Sequence, residues 1–235
     1  MRGKAAVQKL WRDWLSPLVW GLLFTQFAAS AVRVDGASMM PTLRHGEWLA
    51  LPQVEGWAHR LGLGRYGRGD IVVFKPPASA TFERTNIYRG LRLPWSYRPY
   101  LVKRVVGLPG DTVQMRAGRL YVNGQAVSEP RVLNHWAQFC PDTSSPLSNT
   151  PPLKVPAAHY FVMGDNRSPG GSLDSRVFGP VPAWDISSRA VASFWPLLRK
   201  EQARPPCDGQ AAPERRVELS GEVTLNPRWL AGESR

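Results

Sequence analysis

The chain has 235 residues, 43% of them hydrophobic, so its core is not limited by size and one large or two small domains fit. Two cysteines, Cys140 and Cys207, exclude a disulfide scaffold and lack metal-ligand spacing, although they could pair if the domain is extracytoplasmic. A net charge of +12 suits nucleic acid, an anionic membrane surface or a scattered solvated surface, and ten tryptophans favour the membrane, because tryptophan settles at its interfaces.

Residues 1–13 carry Arg2, Lys4, Lys9 and Arg12 against one acid, Asp13, and read as a cytoplasmic segment. Trp14 to Val32 (WLSPLVWGLLFTQFAASAV) then runs nineteen residues without a charge. As a helix this stretch rises about 28 Å, close to the hydrocarbon thickness, and predicts a transmembrane anchor. The basic flank comes first, which puts the N-terminus in the cytoplasm and the rest outside the plasma membrane. Trp11, Trp14 and Trp20 fit an interfacial belt. Pro17, Thr25 and Gln26 make the span mediocre and leave a buried core helix as an alternative. Ala29-Ser30-Ala31 is also a small-x-small cleavage pattern, so a removable signal peptide is a second alternative. Retention is the favoured reading, because only two residues separate Ala31 from the next motif and the apolar run exceeds a usual signal-peptide core.

That motif is Val34-Asp35-Gly36-Ala37-Ser38-Met39-Met40-Pro41-Thr42-Leu43. Gly46 to Leu51 is a short strand-like run, and residues 53–69, rich in Gly and Arg, read as a loop. Asp70 to Phe74 is a fully apolar strand stopped by Pro76-Pro77. Residues 78–99 mix aromatics and arginines without a clean period and read as an inserted loop that rests on lipid headgroups. Tyr100 to Val106 predicts a strand and Leu108-Pro109-Gly110-Asp111 a turn. Thr112 to Met115 and Arg119 to Val122 alternate, and Asn123-Gly124 is a strong hairpin signal. Residues 128–156 read as a second inserted loop. His159 to Met163, Val177 to Val181 and Ala190 to Trp195 complete the strands. Residues 33–200 thus form the body, and 201–235 a polar tail with at most a small hairpin at Val217–Leu225. The fold expected is mainly β, a partly open barrel or sandwich, behind one N-terminal helix.

Among candidate nucleophiles, Ser38 needs a proton acceptor within hydrogen-bond reach. His45, His59, His135 and His159 lie in turn-like or proline-flanked surroundings, and no Gly-x-Ser-x-Gly elbow or metal motif occurs. No metal or cofactor is expected. Lys103 shares a strand face with Leu101 and Val105, where a desolvated ammonium gives up its proton more easily and a neutral amine can accept one from Ser38. The alternative is an edge-strand lysine that guards against aggregation. Arg104 stays protonated and cannot serve as the base. In Gly164 to Arg176, strand alternation would place Ser172, Asp174 and Arg176 on one face, with Asp174 and Arg176 paired and Ser172 placed to orient an amine.

Four ordered segments resemble the boxes of type I signal peptidases. They are Ser38 to Thr42, Gly69 to Phe74, Lys103 to Asp111, and Gly164-Asp165-Asn166-Arg167 followed by Ser172 to Arg176. The resemblance covers about residue 14 to 195. It implies a signal-peptidase-like β fold anchored in the plasma membrane, with Ser38 as nucleophile and Lys103 as general base. By the same resemblance Ser172 orients Lys103, Asp174 and Arg176 brace the site, and Val34, Met39, Leu43, Leu101 and Val102 line small pockets. The substrates implied are signal peptides of exported preproteins, with small residues before the cleaved bond. Two departures stand out. Gly36 occupies a position where some members carry a serine that donates to the oxyanion, which leaves that role to the Ser38 N–H and another donor. The segment between Arg167 and Ser172 is also longer than in familiar bacterial members.

The sequence therefore reads as a membrane-bound serine endopeptidase with membrane lipid and preproteins as partners and no nucleic acid. Three alternatives stay open at this point. One is a dedicated peptidase for a conjugative-pilus subunit, one is a membrane-tethered β module that binds peptide or lipid, and one is a cytosolic self-cleaving repressor. The anchor and the lack of a DNA-binding domain count against the last.

Overall fold

The computed structural model describes residues 8–27, 29–80, 84–88, 90–130, 132, 148–168, 170–202 and 219–230. Cys140 and Cys207, and so their pairing, lie outside these residues, as does most of the 128–156 loop. Helical residues run from 8 to 27, with a π-helical turn at Trp11–Leu15 leading into α1 (Ser16–Phe27). No helix among the described residues is long and apolar enough to cross a membrane. The single helix expected over Trp14 to Val32 is corrected in its extent, since it ends at Phe27. Its last residues are β1 (Ala29–Arg33), which pairs antiparallel with β2 (Trp48–Pro52), from Ala29 opposite Pro52 to Arg33 opposite Trp48. The uncharged run thus serves two elements: the helix stops at Phe27, and the small residues after it join the ladder.

Residues expected as a loop after β2 form α2 (Gln53–Arg60). Gly56 permits it, since a Cβ there would stand 1.7 Å from the Ser187 carbonyl oxygen. Next come β3 (Ile71–Phe74), β4 (Thr85–Tyr88) and β5 (Leu91–Tyr97). The last two form a hairpin, so the 78–99 segment expected as an inserted loop carries two paired strands; Tyr88 and Tyr97 meet edge to face across it. β6 (Leu101–Gly107) and then β7 (Thr112–Arg116), β8 (Arg119–Val122) and β9 (Gln125–Ala126) follow. Asn123 and Gly124 both take positive φ (53° and 81°), as the predicted tight turn requires. β10 (Leu153–Lys154), β11 (His159–Met163), α3 (Ser175–Phe178), β12 (Val181–Pro182), β13 (Ile186–Arg189) and β14 (Ala192–Trp195) come next. Val177 therefore begins no strand; the chain from 175 is helical before it reaches β12.

β15 (Leu198–Gln202) pairs with β16 (Leu219–Leu225), so the small local hairpin expected around Ser220-Gly221 does not form. β17 (Arg228–Trp229) then returns to pair with β14. The tail is thus partly built into the fold.

Three sheets carry the molecule, in the orders β1-β2-β14-β17, β12-β11-β6-β3-β13 and β10-β7-β8-β9. Alternation along β3 explains why it is apolar throughout. Ile71 and Val73 pack into a cluster with Val34, Met39, Leu43, Leu49 and Leu51, while Val72 and Phe74 pack on the opposite face with Val105, Tyr160 and Ile186. A third cluster joins Val106 and Met163 to Val113, Met115 and Leu120. The five-stranded sheet is therefore buried on both faces, which holds β6 rigidly between its neighbours.

Candidate active site

The serine stretch is a turn hung on the β1–β2 pair. Val34 N–H donates to Glu47 O at 2.8 Å, and Gly46 N–H donates to Val34 O at 2.9 Å. Within the turn, Met40 N–H bonds Ala37 O at 3.1 Å and Leu43 N–H bonds Met39 O at 2.8 Å. Gly36 sits at φ 91°, a left-handed conformation that strains any other residue, and its N–H donates to His45 Nδ1 at 3.1 Å. A backbone requirement thus accounts for the glycine at this position.

Lys103 comes from the centre of the molecule. In β6 it stands opposite Val72 of β3. On the other side, the β11 ladder reaches only to Met163 opposite Arg104, and the chain then departs at Gly164. The Ser38 turn approaches this end of the ladder, its Ser38 carbonyl accepting from Asn166 N–H. Lys103, 3% exposed, donates from Nζ to Ser38 Oγ at 2.7 Å and to Val102 O at 3.1 Å. The two residues singled out by chemistry are in direct contact.

The 164–176 cluster lies beside them. Asn166 N–H donates to Ser38 O at 3.0 Å, and its amide donates to Ala37 O at 3.2 Å. Ser172 donates to Asp174 Oδ2 at 2.9 Å, and Gly164 N–H reaches the same oxygen at 2.9 Å. Arg176 grips Asp174 with two bonds of 2.8 Å. Burial alone would push the Asp174 carboxyl up, but Arg176, the Gly164 N–H and the Ser172 hydroxyl outweigh it and hold the group below the ordinary carboxylate range. One expectation is corrected here. Ser172, Asp174 and Arg176 do not alternate along a strand. Asp174 is the N-cap of α3, accepting from Arg176 N–H at 3.2 Å, and the capping geometry brings the Arg176 side chain back onto it.

Sequence reasoning missed a second buried network. Arg104 donates to Asp165 Oδ1 at 2.8 Å and Oδ2 at 2.6 Å, to Thr42 Oγ1 at 3.2 Å and to Gly69 O at 2.8 Å. Thr42 donates in turn to Asp165 Oδ2 at 2.5 Å. All three residues lie inside quoted motifs, yet 61 positions separate the ion pair, and adjacency in the fold is not written locally. Arg167 forms another buried pair, donating to Glu129 at 2.6 and 3.0 Å, while Val132 packs on Met40. The 128–156 segment therefore meets the site at its first residues.

The expected pocket residues divide. Val34, Met39 and Leu43 are buried in the first core cluster, and half-buried Val102 packs against it. Leu101, also half-buried, packs on the opposite face of β6. Among the described residues, no group of three His, Cys, Asp or Glu is arranged to hold a metal ion.

Comparison with known proteins gives these residues a family. The family described as "Signal peptidase, peptidase S26" matches residues 8–195. A signal peptidase I of Leptolyngbya laminosa is 34% identical over 180 residues, 77% of this chain and 75% of that protein. One of Bacillus licheniformis is 36% identical over 159 residues, 68% of this chain and 72% of that protein. A solved signal peptidase I of Enterococcus faecalis V583 superposes with a TM-score of 0.38 at 27% identity, over 54% of this chain and 97% of that one. On the extent of the sequence matches, the chain belongs to the signal peptidase family, peptidase S26, and is a serine endopeptidase that removes signal peptides.

Proposed function

We propose that Ser38 is the nucleophile of this peptidase and Lys103 its general base. The observation that carries the reading is the 2.7 Å approach of the Lys103 amine to Ser38 Oγ at a buried position. In the neutral form, Lys103 takes the Ser38 proton as Ser38 Oγ attacks the scissile carbonyl. The resulting ammonium protonates the leaving amine as the C–N bond breaks. A water deprotonated by the same amine then releases the acyl group. The Ser38 N–H and a second donor stabilise the oxyanion. Asp174 and Arg176 brace the turn on which Gly164 and Ser172 stand, and Ser172 helps to hold the amine in line.

The substrate binds extended, as an added strand along β6 where the β11 ladder stops. Val102 forms a pocket wall at that edge, with Val34, Met39 and Leu43 packed beneath as a floor, while Leu101 lines the opposite face of β6. Small side chains at the first and third positions before the cleaved bond fit such shallow pockets. The chain works at the plasma membrane. Leu10, Trp11, Trp14, Leu18 and Trp20 project exposed apolar surface from the N-terminal helical segment, and lipid is the solvent that suits it. The basic residues before that segment keep the N-terminus cytoplasmic, and the β domain faces outward.

The test is cleavage of a preprotein by the purified full chain and its variants. Ser38→Ala and Lys103→Met are expected to abolish cleavage while leaving the fold intact by circular dichroism. Full activity in either variant refutes the mechanism. Labelling of cysteines introduced into exposed β-domain loops of intact spheroplasts tests the topology; protection from an impermeant reagent would place the domain inside.

A further inference from the structure

The family match ends at residue 195, but the fold does not. Beyond it, β17 adds a fourth strand to the first sheet, with Trp229 opposite Ala192 and Arg228 opposite Ser193. Leu230 N–H bonds Val191 O at 2.8 Å, and the Leu230 side chain enters the cluster that contains Val34, Met39 and Leu43. This short segment thus packs under the serine turn.

Its polar contacts are more specific. Arg228 Nη2 donates to the Thr42 carbonyl and to Glu47 Oε2 (3.3 Å), while Nη1 donates to Asn226 Oδ1 at 2.7 Å. Ser193 donates to the same Glu47 oxygen at 3.0 Å. Glu47, Ser193 and Asn226 are all buried, so the guanidinium is held in a preset frame rather than swinging in solvent. Thr42 lies four residues after Ser38, and its hydroxyl is bound from the opposite side by Arg104 and Asp165. One residue of the nucleophile turn is therefore gripped by its side chain from the central sheet and by its backbone from the added strand.

We propose that Arg228 is a positioning residue for the peptidase reaction: by holding the Thr42 carbonyl, it keeps the turn in the register that sets Ser38 Oγ against Lys103. The inference rests on Ser38 as nucleophile and extends the functional site to a segment outside the family match. Arg228 touches no reacting atom, so its effect falls on the chemical step. A displacement of about 1 Å at a reacting group costs on the order of a hundredfold in rate.

The experiment measures kcat and KM of the full-length protein on a peptide with alanine at the first and third positions before the bond. Arg228→Ala is expected to lower kcat about ten- to a hundredfold, with KM changed less than about threefold. Arg228→Lys, which still reaches the carbonyl with one donor, recovers part of kcat. Trp229→Ala, on the same strand but pointing into solvent, behaves as wild type. Each variant is read at a temperature where circular dichroism shows it folded; if Arg228→Ala does not fold, Arg228→Gln takes its place. Unchanged kcat in the folded variant overturns the proposal, as does an equal loss in Trp229→Ala or no recovery by lysine. Activity in Ser38→Ala instead refutes the nucleophile reading, whatever Arg228 does.

Discussion

Arg104 and Asp165 join the central strand β6 to the turn after β11 by a two-bond ion pair, and Thr42 closes the pair against the Ser38 turn. Asp165 is fully buried and Arg104 nearly so. Removing one partner leaves the other charge in the core, at a cost of about 3–5 kcal/mol, whereas removing both can be close to neutral. Arg104→Met is therefore expected to lower stability by that amount in urea titration. Arg104→Met combined with Asp165→Leu recovers much of the stability but little activity, because Thr42 loses its fixed partners in both. Recovery of cleavage by the double variant would show that the pair serves stability alone.

Lys103 presents the opposite balance. A buried amine is tolerated for chemistry rather than for folding, and replacing it by an apolar side chain of similar length removes a polar group from the core. Lys103→Met is expected to match or exceed the wild type in midpoint of thermal unfolding while losing at least about a thousandfold in kcat. Lys103→Arg is expected to be equally inactive, since a guanidinium cannot take up the serine proton. Measurable turnover by the arginine variant would argue that the side chain acts as a fixed charge and not as a base.

These two cases mark what was legible in the sequence. Ser38 and Lys103 stood out as a serine without a histidine partner and a lysine within an apolar strand, but an edge-strand lysine fitted that pattern as well, and it was the resemblance to type I signal peptidases that paired them. The strands themselves followed from alternation and from Asn123-Gly124, whose two positive φ angles are a local demand. Contacts across the chain were not legible. Nothing near Thr42 announces Asp165, 123 positions away, or the return of Arg228. Local pattern also misassigned the support. Alternating Ser172, Asp174 and Arg176 suggested a strand, but the same spacing serves a helix cap, in which Asp174 accepts from the backbone and side chain of Arg176. At the N-terminus, Ala29 to Val32 is uncharged and suits lipid or a sheet equally; its partner, β2, decided.

Asp174 carries a pH signature. Its folded value lies below the ordinary one, because Arg176, Gly164 and Ser172 stabilise the carboxylate more than burial opposes it. The group's contribution is thus fully present above the unfolded value of about 3.9 and is lost as pH falls through the lower folded value. Asp174→Asn leaves Arg176 buried without its counter-charge and is expected to cost about 3 kcal/mol at pH 7. The difference between variant and wild type should shrink as pH falls below about 4, where the unfolded carboxyl takes up a proton that the folded one still resists. Urea unfolding at pH 7 and pH 3 checks this; a gap that stays constant would mean that the carboxylate charge contributes nothing.

Gly164 offers the most direct probe of how closely the two halves of the site are fitted. A Cβ there would fall 2.2 Å from Ser172 Oγ and 2.5 Å from the Ser38 carbonyl oxygen, with the Ser172 Cβ at 2.6 Å. One of these is backbone of the Ser38 turn itself, so relief cannot come only from a flexible side-chain tip. Gly164→Ala must push Ser38 away from the 164–176 cluster, strain the Asn166 N–H bond to Ser38 O, and tilt Ser172 off Asp174. Overpacking of this kind typically costs about 1–3 kcal/mol in stability. The effect on cleavage should be larger, because an ångström of movement at Ser38 changes the approach to Lys103 and to the scissile carbonyl together. A fall in kcat of about a hundredfold or more, with the variant still folded, is the expected outcome. Near-normal kcat would show that the Ser38 turn moves freely relative to β11 and that its contacts with the 164–176 cluster do not set the reacting geometry.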